Sequence, residues 1–283
     1  MSEFSEPAPS WGAVLLLRLF RWGGQLPLPL LHALGLLLGW LAWLLSASYR
    51  RHWRFNVKQA GLSWSQTWRS VGAVGQMITE MPRIWFGPPV SVEWVGREHV
   101  DACIDAQRSV LFLTPHLGCF ELTVIELARS LGQAKPITVL FQPPNKAVLG
   151  PLLEQGRERP GVVAVPTTVS GVKALLQALR KGGMTGLLPD QVPPQGQGVW
   201  VPFFGREAYT MTLAARLAHQ ADVTLLIWAE RLSWGRGFRI HVQPAPQGLS
   251  PDKAEASAQI NTWMEDLIRA CPSQYLWGYN RYK

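Results

Sequence analysis

Ser109-Val110-Leu111-Phe112-Leu113-Thr114-Pro115-His116-Leu117-Gly118-Cys119-Phe120-Glu121 carries the chain from an apolar run into a helical pattern. The run 109–113 reads as a buried strand, and 122–129 as a helix. His116 and Glu121 therefore fall where a strand hands over to a helix, a common place for functional groups in α/β proteins. Five residues of helix turn through about 500°, so the two side chains would diverge by roughly 140° if both were helical. They converge only with His116 in the turn and Glu121 in the first helical turn, where the helix dipole favours a carboxylate. The spacing then predicts that Glu121 accepts a hydrogen bond from one imidazole nitrogen and leaves the other free as a base. Gly118 keeps the turn open where a side chain would obstruct a substrate. Taken alone, His-x4-Glu is more often structural than catalytic; the strand–turn–helix setting is what favours chemistry.

Outward from this stretch, the chain alternates. Strands are predicted at 90–95, 109–113, 136–141, 162–166, 185–188, 199–203, 223–229 and 238–242, and helices at 121–131, 145–157, 170–181, 210–220 and 251–270. The alternation predicts an α/β fold with a largely parallel central sheet flanked by helices. Four regions are expected: 1–25, a disordered start and a partly interfacial segment; 26–48, a transmembrane anchor; 49–89, a helical membrane-proximal region; and 90–283, the α/β domain.

The anchor is Leu26 to Leu45, LPLPLLHALGLLLGWLAWLL, without a fixed charge and long enough for a bilayer. Pro27 and Pro29 fall in its first turn, where missing N–H groups do least harm, and Trp40 and Trp43 sit towards its far end. A buried core helix and a cleaved signal are the competing readings; Glu3, Glu6 and the length of the run count against the signal. Arg50, Arg51, Arg54, Lys58 and Arg69 follow the anchor, so the positive-inside rule puts the C-terminal bulk in the cytoplasm.

With 27 Lys+Arg against 19 Asp+Glu, the net charge of +8 suits an anionic partner such as a phospholipid surface, a nucleic acid or an acidic carrier protein. Charge is the only feature in favour of nucleic acid, which is not expected as a partner. Three scattered cysteines form neither a disulfide framework nor a metal spacing, and no Walker loop, Rossmann glycine set or zinc cluster is present. Arg157, after Gly156 at a helix end, is placed to meet a phosphate or an oxyanion, or is a solvated helix end. Asp190 and Gln191 close an apolar strand, where a carboxylate binds a polar group or caps a turn. Phe203 and Phe204 line an alkyl chain or belong to the core. Cys119 is either a thiol nucleophile paired with His116 or an inert small residue.

As a set, these pieces resemble the late acyltransferases of lipid A biosynthesis, the lauroyl/myristoyl type, within the lysophospholipid acyltransferase superfamily. The resemblance rests on the apolar N-terminal helix, PHLGCFE with His116 and Glu121, Gly156-Arg157, LPDQVPPQGQGVWVPFFGREAYT, and the closing CPSQYLW and RYK. Pro115 and Cys119 depart from it, standing where that family usually has Asn. The resemblance implies His116 as general base with Glu121 as its orienting partner, and Arg157 and Asp190 as further site residues. It implies an acyl carrier protein thioester (or acyl-CoA) as donor, a lipid A precursor as acceptor, direct transfer without metal or cofactor, and a place in the inner membrane. Another lipid acceptor and a non-catalytic, membrane-tethered lipid-binding protein are the alternatives.

Overall fold

The computed structural model describes residues 10–131, 135–142, 144, 146–233 and 235–283. The expected disordered start over 1–9 and the Asn145 end of one expected helix lie outside these. Helices come first: α1 (Trp11–Gly23), α2 (Leu28–Leu45), α3 (Ala47–Gln59), α4 (Trp64–Thr67), α5 (Arg69–Thr79) and α6 (Met81–Phe86). The α/β part then runs β1 (Val92–Val95), α7 (Arg97–Asp105), β2 (Val110–Leu113), α8 (Phe120–Leu131), β3 (Ile137–Phe141), α9 (Gly150–Arg157), β4 (Val162–Pro166) and α10 (Val169–Arg180). It continues with β5 (Met184–Leu187), β6 (Gly198–Phe203), β7 (Arg206–Met211), α11 (Leu213–Ala218), β8 (Val223–Arg231), β9 (Phe238–Pro244) and α12 (Lys253–Ala270).

Seven strands form one sheet in the order β1-β9-β8-β2-β5-β3-β4, with every neighbouring pair parallel except β8–β9. The expected fold class is the observed one. The entirely apolar β2 is central because both its faces are covered. Phe112 faces a cluster with Leu122, Ile125 and Leu127 of α8, while Leu111 and Leu113 face a second cluster with Leu175 and Leu179 of α10 and Ile260 of α12.

Three elements differ from expectation. The 199–203 strand is not in the main sheet; as β6 it pairs antiparallel with β7 in a separate hairpin. The residues Arg206-Glu207-Ala208-Tyr209-Thr210-Met211 lack a continuous apolar run, so β7 is hidden from pattern reading and Thr210 and Met211 fall into a predicted helix. The hairpin closes through Phe204 and Gly205, both with positive φ (49° and 73°), the geometry that follows the strand twist in a tight turn. Helix α7 also goes unpredicted, its short pattern falling between two strands.

The apolar helix α2 is confirmed as an element, and it lies against the body. Its Gly35 and Gly39 meet Gly72, Gly75 and Gln76 of α5 so closely that a Cβ at Gly75 would stand 1.9 Å from the Gly35 carbonyl oxygen. Leu28, Leu31 and His32 share this covered face, whereas Leu30, Leu34, Leu37, Leu38, Leu41, Leu44 and Leu45 are exposed.

Candidate active site

Register places the site. Leu113 at the end of β2 is level with Leu187 at the end of β5, and the Thr114 N–H donates to the Leu187 carbonyl at 3.2 Å. The chains leaving these two central strands therefore emerge side by side, carrying His116 on one and Asp190 and Gln191 on the other. Ligands in open α/β sheets bind at such carboxyl ends.

Asp190 holds His116 twice. The ring Nδ1 lies 2.7 Å from Asp190 Oδ1, and the His116 backbone N–H donates to Asp190 Oδ2 at 2.9 Å. Asp190 is only 2% exposed, so burial pushes its carboxyl up; the His116 ring, these two hydrogen bonds and Arg281 outweigh burial and hold it below the usual carboxylate range. A charged acceptor on Nδ1 fixes the tautomer with its proton there and leaves the Nε2 lone pair free. Gln191 covers that lone pair, its Nε2 lying 3.2 Å away, and the Phe120 ring meets the imidazole edge-on at 5.0 Å between centroids.

The expected Glu121–imidazole hydrogen bond is absent. Glu121, in the first turn of α8, instead accepts from Arg157 Nη2 at 2.8 Å. Arg157 closes α9, and its neighbour Gly156 makes room for Trp85, whose Cε3 would stand 2.4 Å from a Cβ there. His116 and Glu121 thus face one cavity from the strand–helix junction, but each has a different partner from the one predicted.

Gly118 has φ +59°, and a Cβ on it would stand 1.9 Å from the Ala229 carbonyl oxygen. The space it leaves belongs to β8 and not to a substrate. Its N–H donates to the Gln274 carbonyl at 3.1 Å, and the next N–H, of Cys119, to the Ala229 carbonyl at 2.9 Å, so neither amide is open to a developing oxyanion. The Leu276 N–H donates to the His116 carbonyl at 3.2 Å; the closing CPSQYLW segment is thereby a brace for the His116 loop.

Phe203 and Phe204 do not reach the cavity. They lie 2% and 5% exposed in the core, Phe204 against Trp277 and Phe203 beside Tyr282, which corrects the expectation of an alkyl-lining pair. Cys119 is buried; desolvation first, then the neighbouring Glu80, push its thiol well above the usual range, away from the thiolate that a nucleophile needs.

The cavity measures about 960 Å³, and His116, Phe120, Glu121, Arg157 and Gln191 share its lining with Arg159 and Arg216. It combines an imidazole fixed by a buried carboxylate, a guanidinium held by a second carboxylate, and a largely apolar lining, a set suited to acyl transfer.

The family described as bacterial lipid A biosynthesis acyltransferase matches residues 5–283. The chain belongs to this family. Among curated relatives, the lipid A biosynthesis palmitoleoyltransferase of Escherichia coli (strain K12) is 26% identical over 219 residues, 75% of this chain and 69% of that protein. The lipid A biosynthesis lauroyltransferase of the same organism is 26% identical over 275 residues, 92% of this chain and 87% of that protein. The lipid A biosynthesis myristoyltransferase is 24% identical over 191 residues, 66% of this chain and 57% of that protein. Membership makes this lipid A acyltransferase an enzyme that transfers a fatty acyl chain from a donor to a lipid A precursor.

Two contacts are not foreseen in the sequence: that of Asp190 with His116 and that of Arg157 with Glu121. Asp190 is the harder to find. The only signal was a carboxylate at the end of a buried strand. Without the strand order, nothing in the sequence put that end beside His116.

Proposed function

We propose that this lipid A acyltransferase transfers the chain directly from an acyl carrier protein thioester to a hydroxyl of the acceptor, with His116 as general base. The observation that carries this is the Asp190–His116 pair at the cavity wall, at 2.7 Å. The acceptor hydroxyl displaces the Gln191 amide and hydrogen-bonds His116 Nε2. As its oxygen attacks the thioester carbonyl, its proton passes to Nε2; the Asp190 carboxylate steadies the imidazolium, on the logic of a Ser-His-Asp triad whose hydroxyl is the substrate's. The tetrahedral intermediate collapses, the C–S bond breaks, and the thiol leaves with the proton returned by His116. Arg157, aimed by Glu121, stabilises the oxyanion. Glu121 serves the reaction through Arg157 rather than through the imidazole.

The net charge of +8 and Arg157, Arg159 and Arg216 around the cavity suit the acidic surface of a carrier protein as donor. The enzyme works at the inner membrane with its α/β part in the cytoplasm. The exposed leucines of α2 enter the lipid, and Arg50, which donates to the Trp43 carbonyl at 2.7 Å, marks the interfacial level at the end of that helix. Lipid A mass spectrometry in a host lacking its late acyltransferases tests the reading. An added acyl chain with wild type and none with His116→Ala, at equal membrane levels, is expected. No added chain with wild type, or an equal gain with the variant, would overturn it.

A further inference from the structure

The cavity lining continues from His116 between α8 and the sheet as a largely apolar arm. Along the sheet, its floor runs from Thr114, the first residue past β2, down to Ile137, the first of β3. Register measures this descent: Phe112 and Val139 are level with Gly186, and Ile137 is level with Met184. Four residues of strand separate the level of Thr114 from that of Ile137, ~13 Å. Along α8 the lining runs from Phe120 to Leu127, a rise of ~10 Å, which agrees. Each methylene of an extended chain advances roughly 1.3 Å given C–C bonds of about 1.5 Å, so the arm holds on the order of ten carbons below Thr114.

Gly186 sits halfway down this arm, on a strand flanked on both sides and covered by helices. A glycine weakens a strand interior and often marks where another molecule comes close. Its surface is partly accessible while Met184 and Thr185 before it and Leu187 after it are buried, because the cavity reaches it. A Cβ there would lie 3.3 Å from Val139 Cγ1 and 3.7 Å from Ile137 Cδ1, so even a methyl group would crowd the arm.

We propose that Gly186 is the residue that sets which acyl chain this enzyme accepts, its missing side chain keeping the lower half of the arm open to the distal carbons of the donor. This rests on the acyl-transfer reading above. A short chain ends near Gly186 and is indifferent to a side chain there; a longer one must pass it.

The experiment presents full-length wild type, Gly186→Ala and Gly186→Val in detergent with an equimolar mixture of decanoyl, dodecanoyl, tetradecanoyl and hexadecanoyl carrier-protein thioesters and one lipid A precursor. The product chains are read in a single mass spectrum. The ratio of shortest to longest product is expected to rise about tenfold with Gly186→Val and by a smaller factor with Gly186→Ala, the scale that one or a few methylenes impose on an apolar pocket. Because the ratio is internal to each sample, partial misfolding of the valine variant does not move it. Active variants with the wild-type product ratio would overturn the proposal and leave the acyl-transfer reading standing. A wild type inactive with every donor would overturn that reading and the proposal with it.

Discussion

Glu121 and Arg157 are paired at 2.8 Å, and this changes what their substitution means. Removing either one should lower the rate through the same loss, that of a correctly placed guanidinium, which Glu121→Gln misaims and Arg157→Ala deletes. In a double-mutant cycle, Glu121→Gln and Arg157→Ala should therefore be strongly non-additive, the double variant no slower than Arg157→Ala. Transfer rates of the four proteins check this; independent, additive losses would separate the pair. Both residues are legible in the sequence, as a first-turn carboxylate and a helix-end arginine. Their pairing is not, because it depends on how α9 packs behind Trp85 and Gly156, which no spacing within either motif encodes. Asp190 is harder still, since a strand-end carboxylate reads equally as a cap until the neighbour of its strand is known.

Between elements, a buried charge cluster ties the N-terminal helices to the His116 loop. Glu80, at the junction of α5 and α6, takes a two-pronged contact from Arg231 at the end of β8, at 2.6 and 2.8 Å, with His32 Nε2 of α2 3.3 Å away. The Arg231 backbone in turn exchanges hydrogen bonds with the Gln274 side chain, and the Gln274 backbone carbonyl accepts from the Gly118 N–H. Burial pushes the Glu80 carboxyl up, but the charge and hydrogen bonds of Arg231, with His32, outweigh it and hold it below the usual range. A depressed carboxyl contributes stability that is present above its unfolded pKa and is lost as pH falls through the lower folded value. Thermal unfolding in detergent should therefore show a stability that drops on acidification below the usual carboxylate range. Glu80→Gln should flatten that acid limb and cost about 3–5 kcal/mol at neutral pH by leaving Arg231 buried without its counter-charge. An unchanged melting curve would remove the cluster's structural role. None of this is readable in advance: the partners lie 151 positions apart, and an isolated His in an apolar run carries no sign of them.

For the whole molecule, the alternation of apolar runs and helical patterns predicts the parallel sheet well, because buried parallel strands must be continuously apolar. It fails where strands are polar and half-exposed, as in β7, and it says nothing of strand order. The apolar helix α2 is equally plain from its composition, whereas its glycine contact with α5 depends on the partner's sequence and is invisible from one helix alone. That contact gives the helix a covered face and an exposed apolar one, which we propose meets lipid. Leu37, Leu41 and Leu44, exposed at 64%, 45% and 61%, lie on the latter. Changing all three to serine should shift the enzyme from the membrane pellet to the supernatant in fractionation, while detergent assays retain acyl transfer. Unchanged partition would place membrane contact elsewhere.

If Asp190 holds His116 as the base, the transfer rate of Asp190→Asn in detergent must show it. The amide keeps the shape of the carboxylate but neither fixes the tautomer nor steadies the imidazolium. A fall in kcat of about 10³–10⁴-fold, with donor KM little changed, is the expected result by comparison with triad carboxylates. A folded Asp190→Asn enzyme working near the wild-type rate would contradict the account.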